Sequence, residues 1–225
     1  YKKAVYKVPS NGHWRLTIGE KKRILTTHIF GVDIDAQAVE VTKLSLLLKV
    51  LEGETDQTIS RQQRLFHERA LPNLADNIKC GNSLIGPDYF TGRLIPDAAE
   101  MTRLNPFDWE QGFPEAMRDG GFGCVIENPP YVRMESFTGV KDYLRAQYTA
   151  HEERSDLYAY FIERGIGLLS KTGRLGLIVS NKFVRARYGR PLRGFLAQHA
   201  SVRSIVDFAG ANVFKGATVR TLVLI

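Results

Sequence analysis

The chain has 225 residues, of which 44% are hydrophobic and 24% charged, and this length and composition fit one domain with a sizeable core and exclude a disordered protein. Lysine and arginine total 31 against 24 acidic residues, for a net charge of +7, which favours a polyanionic partner. The longest apolar run, residues 44–51, is interrupted by Lys49, and residues 1–12 lack the apolar core of a signal peptide, so we expect a cytoplasmic protein without a membrane span.

Cysteine and histidine usage predicts no metal site. The two cysteines, Cys80 and Cys124, lie far apart in strand-like surroundings, and the five histidines are scattered, so no zinc-ligand spacing is present. We expect both cysteines to be buried thiols. The sequence opens on Tyr1 rather than methionine and closes on the apolar run 221–225, which favours a fragment of a larger protein.

The first half of the chain predicts two strands, a helix and an inserted region. Residues 28–34 are apolar and end in acids, which indicates a strand, and Asp35 can cap a helix from Ala36 to about Leu51. Residues 77–84 predict a short strand and turn. Proline, glycine and aspartate recur through residues 86–121, which we interpret as an inserted loop region within a single domain over 1–225.

The second half of the chain alternates strands and helices. The predicted elements are a strand over 122–127, a helix over 156–169, a strand over 174–180, a helix over 190–199 and strands over 202–208 and 217–225. Such alternation implies right-handed crossovers between neighbouring strands. The predicted fold class is therefore α/β and Rossmann-like, with a mostly parallel sheet and helices on both faces.

A rigid polar loop follows the strand over 122–127. It is the motif Asn128-Pro129-Pro130-Tyr131, whose prolines force extended geometry on the residues before them and carry no N–H groups. What remains is a pair of acceptors, the Asn128 side-chain carbonyl and the Pro129 backbone carbonyl, with the Tyr131 ring beside them. This surface could hold a planar amino group. The alternatives are a proline turn that only closes the strand and a peptide motif for an adaptor domain.

Polar residues also follow the two earlier strands. Asp33 and Asp35 end the first strand, where a carboxylate can receive the two hydroxyls of a nucleotide ribose. Because Asp35 is placed to cap the next helix, Asp33 is the candidate. The turn Gly81-Asn82-Ser83 follows the second strand, where an amide could read an adenine edge or where a plain turn could form.

A basic segment follows the strand over 174–180, and its cations are Lys182, Arg185, Arg187, Arg190 and Arg193. The segment predicts either a solvated helix face or an edge that tracks phosphates without reading sequence. The glycine-rich stretch 165–170 is similar to a phosphate loop, but it lies within a helical pattern and follows no strand. We therefore dismiss it as a phosphate site.

Together, the acidic strand end, the GNS turn, the NPPY loop, the SNKF stretch at 180–183 and a late Phe-x-x-x-x-Val resemble the amino-methylating DNA adenine methyltransferases. The resemblance is to the methylase part of single-chain type II restriction–modification enzymes in particular. It implies a class I methyltransferase fold, S-adenosylmethionine as cofactor and double-stranded DNA as partner. It also implies nuclease and target-recognition domains elsewhere in the full-length chain.

The resemblance assigns roles to individual residues. Asp33 would hold the ribose of S-adenosylmethionine, Ile34 would pack on its adenine, and Asn82 would bond that adenine's amino group. The catalytic loop would be Asn128-Pro129-Pro130-Tyr131, with Tyr131 and Phe214 stacking on a flipped target base. The cations of the basic segment would contact DNA phosphates.

Several positions depart from the family's pattern. The family's glycine-rich cofactor loop ends the first and central strand, which lies between the strands ending at Asp33 and Asn128. It has no counterpart before His28, so we expect that strand to be missing from this chain. Gly123 and Glu127 stand where relatives often have an acid and a glycine. Asp156 falls at a family motif near the cofactor, without an assigned role.

The predicted activity is methylation of the exocyclic adenine amino group in DNA, within a restriction–modification system. That amine is a poor nucleophile because its lone pair is delocalised into the ring. Two acceptors on its hydrogens favour a pyramidal nitrogen, most strongly in the transition state. The alternatives are an NPPY methyltransferase acting on ribosomal RNA or protein glutamine, which present the same planar amino group, and a catalytically inactive DNA-binding remnant.

Overall fold

Two units make up the chain in a computed structural model, Tyr1–Phe113 and Pro114–Ile225. The structure describes residues 4–8, 12–54, 71–92, 97–132, 138–208 and 220–225. Each unit has its own strands and, among these residues, its own apolar core. Within the same ranges we find no helix with the length and apolar character that a membrane crossing requires.

The first unit is built on a pair of parallel strands. Its elements in chain order are β1 (Val5–Lys7), β2 (Trp14–Leu16), α1 (Ile18–His28), β3 (Gly31–Asp33), α2 (Ala36–Leu51), β4 (Ile78–Cys80), a 3-10 turn (Pro87–Phe90), α3 (Ala98–Leu104) and α4 (Trp109–Gly112). Strands β1 and β2 form an antiparallel hairpin, whereas β3 and β4 run parallel with Asp33 opposite Cys80. The parallel pair therefore brings the carboxyl ends of β3 and β4 to one edge.

Helix α2 begins and ends where the sequence predicts. The Asp35 carboxylate accepts the Gln37 N–H at 2.8 Å, so the predicted N-cap is confirmed. Val39 and Val50 of this helix are buried with Ile78 of β4 in the core of the unit. This packing fixes α2 against the strand pair.

Helix α1 was not predicted, because the charged residues 20–23 hide a thin apolar stripe. Ile18 and Leu25 of this helix are buried in the core of the first unit. Lys21 also has a structural task, since its Nζ donates to the Val50 carbonyl at 3.1 Å near the end of α2. A cation there interacts favourably with the carbonyls that a helix leaves unpaired at its C-terminus.

The segment 86–121, predicted as an inserted loop region, is helical in part. It contains the 3-10 turn, α3, α4 and α5 (Pro114–Arg118) of the second unit. Asp97 and Asp108, which contributed to the loop interpretation, are helix N-caps. Asp97 accepts the Ala99 N–H at 2.9 Å, and Asp108 accepts two N–H groups of α4 at 2.9 and 3.0 Å. Aspartate is favoured both in turns and at N-caps, so composition did not separate the two.

The second unit contains a four-stranded sheet. After α5, its elements are β5 (Phe122–Glu127), a 3-10 turn (Thr138–Val140), α6 (Lys141–Gln147), α7 (Tyr158–Gly167), β6 (Leu169–Ser180), α8 (Lys182–Arg185), a 3-10 turn (Arg187–Gly189), α9 (Arg190–His199), β7 (Ile205–Asp207) and β8 (Thr221–Leu224). The strand order is β5-β6-β8-β7. Leu177 and Val179 of β6 are buried together with Ile162 of α7 and Leu192 of α9.

Strand direction confirms the α/β class and corrects the expectation of a mostly parallel sheet. The pairs β3–β4 and β5–β6 are parallel, as predicted, but β8 is antiparallel to both of its neighbours. Strands β7 and β8 are consecutive along the chain and adjacent in the sheet, a relation that favours antiparallel pairing. The sheet is therefore mixed.

The glycine-rich stretch 165–170 is not a phosphate loop, because its glycines at 165 and 167 belong to helix α7. A Cβ at Gly165 would lie 2.8 Å from Leu175 Cδ1. Gly165 therefore lies where α7 packs closely on β6, and a larger residue there would require the Leu175 side chain to shift.

Both cysteines are exposed, so the prediction of buried thiols is wrong. Cys124 shares a face of β5 with Ile126, which is 81% exposed, and β5 is the edge strand of its sheet. Cys80 is the last residue of β4, where its thiol contacts the Ile34 carbonyl at 3.5 Å. A strand-like sequence context predicts burial only where the faces and edges of the strand are covered.

Gly189 allows close packing between the segments that flank it. A Cβ there would lie 2.1 Å from the Phe183 carbonyl oxygen, whereas one at Gly194 of α9 would meet no atom within 4 Å. We expect Gly189→Ala to lower the free energy of unfolding by about 1–3 kcal/mol through overpacking. Gly194→Ala, the matched control, should stabilise by up to about 1 kcal/mol through helix propensity. Chemical denaturation compares the two variants, and equal stabilities would contradict the role given to Gly189.

Candidate functional site

The carboxyl ends of β3 and β4 meet at one polar edge of the first unit. The Gly81 N–H donates to the Asp33 carbonyl at 2.9 Å, so the chain leaving β4 is tied to the end of β3. The Asp33 side chain is exposed, and its Oδ1 accepts the Asp35 N–H at 2.8 Å. Ile34 is 55% exposed. This edge therefore presents a carboxylate and an apolar side chain next to each other.

The two aspartates at this edge have different tasks. Asp35 is used by the backbone of α2 as its N-cap. Asp33 keeps an exposed carboxylate at the strand end, where the resemblance places a ribose ligand. A carboxylate can accept hydrogen bonds from two vicinal hydroxyls, and Ile34 offers an apolar surface for a base. The side chains present thus suit a nucleoside cofactor.

The turn Gly81-Asn82-Ser83 lies at the same edge. Asn82 is half-buried, and its Oδ1 accepts the Leu84 N–H at 3.1 Å. A carboxamide oxygen has a second lone pair and the amide nitrogen has two hydrogens. The local turn bond therefore orients the Asn82 side chain without using up its capacity for hydrogen bonding.

Sequence reasoning missed the residues that hold this turn. The Asn82 N–H donates to the Asn105 carbonyl at 2.6 Å, and Trp109 Nε1 donates to the Ser83 carbonyl at 3.1 Å. Asn105 and Trp109 both come from the segment interpreted as an inserted loop. A usable signal was Asp108 directly before Trp109, since an aspartate N-cap followed by an apolar residue indicates a helix start.

In the second unit, the loop Asn128-Pro129-Pro130-Tyr131 leaves the carboxyl end of β5. Asn128 and Pro130 are exposed and Pro129 is buried. The Tyr131 hydroxyl donates to the Ile178 carbonyl at 3.4 Å, and burial raises the pKa of this hydroxyl. The Val132 carbonyl accepts the Leu157 N–H at 3.0 Å. The loop is therefore anchored after its prolines, while the Asn128 amide is open to a ligand.

Glu127, the last residue of β5, has a buried carboxyl group. Its Oε2 has no hydrogen-bond partner among the residues that the structure describes. Burial raises the pKa of Glu127 to about 7, because a charged carboxylate there would lack both water and a donor. The residue before the loop is therefore neutral in acid solution and becomes a buried charge in alkaline solution.

The stretch Ser180-Asn181-Lys182-Phe183 follows the neighbouring strand β6. Ser180 and Phe183 are buried. Asn181 Nδ2 donates to both carboxylate oxygens of Asp207 at 3.3 Å. Both β6 and β7 run against β8, so their carboxyl ends lie at the same edge, and the Asn181–Asp207 contact joins them there.

The basic segment begins at this edge of the second unit. Its exposed cations are Lys182, Arg185, Arg187 and Arg190. Arg193 is half-buried, and its Nη1 donates to the carbonyls of Phe183 and Ala186 at 2.5 and 2.9 Å. Arg193 therefore holds α9 to the end of α8, whereas the other four cations face solvent.

The remaining candidate residues from the sequence are Phe214 and Asp156. Phe214 lies outside the described residues. Asp156 lies just before α7, where its carbonyl accepts the Ala159 N–H at 3.2 Å. Among the described ranges, no three histidine, cysteine or acidic side chains are grouped as a metal site would require.

Residues 27–214 match the model of the Eco57I restriction-modification methylase family. The matched range contains Asp33, Asn82, the loop beginning at Asn128 and the basic segment. It therefore includes parts of both units and well over half of the chain.

Two individual proteins that are named as type II methyltransferases are similar to this chain. The type II restriction enzyme and methyltransferase RM.Eco57I of Escherichia coli is 32% identical over 215 residues, which are 94% of this chain and 20% of that protein. The type II methyltransferase M.BstVI of Geobacillus stearothermophilus is 40% identical over 109 residues, 48% of this chain and 19% of that protein. The chain thus spans a minor part of the length of both relatives.

Among solved structures, the M protein of the type I restriction enzyme EcoKI has a TM-score of 0.46 and 17% identity. The match covers 89% of this chain and 31% of that chain. A TM-score and an identity this low support no conclusion about the fold or the function of this chain.

The buried Glu127 carboxyl should make stability depend on pH. Its pKa is about 7 in the folded protein and near its ordinary 4.5 in the unfolded chain, so the folded state holds the proton more tightly. The contribution of the neutral Glu127 carboxyl to the free energy of unfolding is fully present below pH 4.5 and is lost as the pH rises through about 7. Glu127→Gln should remove this loss, so its urea midpoint should change less than the wild-type midpoint between about pH 5 and about pH 8.5.

The matched control for this measurement is Glu115→Gln, because Glu115 is exposed in the same unit. The control should keep the wild-type dependence on pH. If Glu127→Gln kept it as well, the burial of a neutral carboxyl at the end of β5 would be contradicted.

Proposed function

Because the chain belongs to the Eco57I restriction-modification methylase family, we propose that it forms the methyl-transfer part of a DNA methyltransferase that modifies the N6 amino group of adenine. The observation that carries this proposal is the exposed Asn128 amide, in an anchored Asn-Pro-Pro-Tyr loop at the carboxyl end of a parallel strand. An acceptor fixed in that way suits an exocyclic amine.

The cofactor in this proposal is S-adenosylmethionine, which when bound supplies the methyl group. The Asp33 carboxylate would accept hydrogen bonds from the two ribose hydroxyls. The exposed Ile34 side chain would lie against the adenine ring, and Asn82 would pair with its amino group. The fit is chemical, since this edge of the first unit offers a carboxylate, an apolar side chain and an amide.

The loop that begins at Asn128 would bind the adenine amine that accepts the methyl group. The Asn128 side-chain oxygen and the Pro129 carbonyl would accept hydrogen bonds from the two amine hydrogens. These contacts strengthen as the nitrogen becomes positively charged, so they stabilise the transition state more than the ground state. The prolines restrict the backbone and Tyr131 is tied to β6, so the backbone that carries both acceptors would be held in place before the substrate binds.

A base in a duplex must leave the stack before its amine can reach this loop. Flipping costs a few kcal/mol, and stacking of the base on an aromatic ring returns about 1–3 kcal/mol. In this proposal Tyr131 supplies one such ring, and Phe214 supplies a second on the strength of the family resemblance. Both residues therefore act on the position of the base rather than on the transfer itself.

The DNA backbone would be held by the exposed part of the basic segment. Its four solvent-facing cations follow β6, the strand that pairs with β5. Phosphate contacts position a duplex without reading its sequence, so specificity must come from elsewhere in the intact protein. RM.Eco57I is named as both a restriction enzyme and a methyltransferase, and by analogy we place a nuclease and a target-recognition domain in the remainder of the intact protein.

Two substitutions should separate substrate chemistry from cofactor binding in the intact protein. Asn128→Ala should abolish methyl transfer while the Kd for S-adenosylmethionine stays within about twofold, because the lost acceptor serves the amine. Asp33→Asn keeps an oxygen for the Asp35 N–H but loses the charge. It should raise that Kd at least about tenfold, or about 1.4 kcal/mol, through loss of charge-assisted bonds to the ribose.

Calorimetry gives the cofactor affinities, and mass spectrometry of digested DNA identifies N6-methyladenine. RNA and protein offered to the wild-type protein as alternative substrates should remain unmodified. An active Asn128→Ala protein would contradict the assignment of the catalytic loop. An unchanged Kd for S-adenosylmethionine in Asp33→Asn would contradict the assignment of Asp33 to the ribose.

The exposed arginines should act on DNA affinity without regard to sequence. In the intact protein, replacing Arg187 and Arg190 together with alanine should weaken binding to cognate and unrelated duplexes alike. The slope of log affinity against log salt should fall by roughly 0.9 per lost phosphate contact. The matched control replaces Arg203, an exposed arginine that precedes β7 at the opposite edge of the sheet, and should keep the wild-type slope. Loss of affinity for the cognate site alone would mean base readout instead.

A further inference from the structure

Residues 105–113 form a strap across the turn Gly81-Asn82-Ser83. At its start, the Asn105 carbonyl accepts the Asn82 N–H at 2.6 Å, and residues 82 and 106 are aligned as a parallel β-bridge. Further along, the Phe107 N–H donates to the Ile85 carbonyl at 2.8 Å, and Trp109 Nε1 donates to the Ser83 carbonyl at 3.1 Å. The strap thus holds the backbone of the turn and the residues after it.

The turn is also held from the side of β3. The Gly81 N–H donates to the Asp33 carbonyl at 2.9 Å. The first residue of the turn is therefore bonded to β3, and the next two are bonded to the strap. The position of the Asn82 side chain follows from both sets of bonds.

Aromatic packing brings the strap close to the turn. A Cβ at Gly81 would lie 2.7 Å from Phe107 Cδ2, so only glycine allows this approach. Phe107 and Phe113 are buried, and the Trp109 ring packs against them with centroid distances of 5.2 and 5.8 Å. The Trp109 indole is therefore oriented by ring contacts that do not depend on its N–H group.

We propose that Trp109 is a positioning residue for the adenine subsite, acting through its hydrogen bond to Ser83 on the orientation of Asn82. The inference rests on the proposed function, because it presumes that Asn82 pairs with the adenine of the cofactor. Within that function it adds a residue from a segment that sequence patterns predict to be a loop. The strap thereby determines how strictly the subsite distinguishes adenine from other bases.

The test is a pair of affinities measured by calorimetry on the intact protein. The probes are S-adenosylhomocysteine and its inosyl analogue, in which a carbonyl oxygen replaces the adenine amino group. The wild-type protein should prefer the adenosyl compound. Trp109→Phe keeps an aromatic ring but lacks the N–H donor, and it should weaken binding of S-adenosylhomocysteine by about threefold to tenfold, the range expected for one neutral hydrogen bond.

The decisive readout is the ratio of the two affinities. Trp109→Phe should lower this preference for adenine. The double variant Trp109→Phe with Asn82→Ala should lower the preference no further than Asn82→Ala alone, because both substitutions act on the contact between Asn82 and the adenine. Trp14→Phe is the matched control, since Trp14 is 68% exposed in β2, and it should keep the wild-type ratio. A merely structural role for Trp109 would lower stability and leave the ratio unchanged.

The possible failures are distinguishable. If the wild-type protein prefers the adenosyl compound and Trp109→Phe keeps that preference, the role given to Trp109 is overturned while the proposed function stands. If the wild-type protein binds neither compound, or shows no preference between them, the adenine subsite of the proposed function fails and the inference fails with it.

Discussion

Parallel pairing of strands is the constraint on which the rest of this structure depends. Two parallel neighbours must end at the same edge, so the segments that follow them are brought side by side whatever their separation in sequence. In the first unit β3 and β4 place Asp33 beside the turn containing Asn82, and in the second β5 and β6 do the same for the loop beginning at Asn128 and the basic segment. The candidate polar residues therefore lie at the ends of strands and on the connections that follow them.

Polar side chains at these edges differ in how far the fold already uses them, and residue type alone does not decide which are used. Asp35 and Asp108 cap helices, and Arg193 bonds two backbone carbonyls. Asp33 and Asn128 are exposed, and the Asp33 carboxylate also accepts one backbone N–H, that of Asp35. The position of a side chain decides its use, since Asp35 and Asp108 meet N–H groups that a helix leaves unpaired, whereas Asp33 bonds a backbone N–H within the connection between β3 and α2.

How well the sequence predicted this architecture depends on whether a signal was local. Helix α2 was predicted to the residue because its cap and its apolar pattern are adjacent in sequence, and β5 because two prolines end it. Helix α1 was missed because its apolar stripe is thin among charges. The exposure of Cys124 depends on which strand lies next to β5, and the bond from Trp109 to Ser83 joins residues 26 positions apart. Neither feature leaves a local trace in the sequence.

The location of β8 also imposes an order on folding. Strand β8 lies between β6 and β7, although it follows both along the chain. On the ribosome, β7 emerges before β8, which is its neighbour in the sheet that the described residues form, so it lacks this partner until residues 221–224 arrive. The Phe208 N–H then reaches the Thr221 carbonyl at 3.1 Å, which closes the two ends of the segment that carries Phe214. A nascent protein can therefore form the β5–β6 pair that carries the Asn128 loop before β7 gains its partner β8.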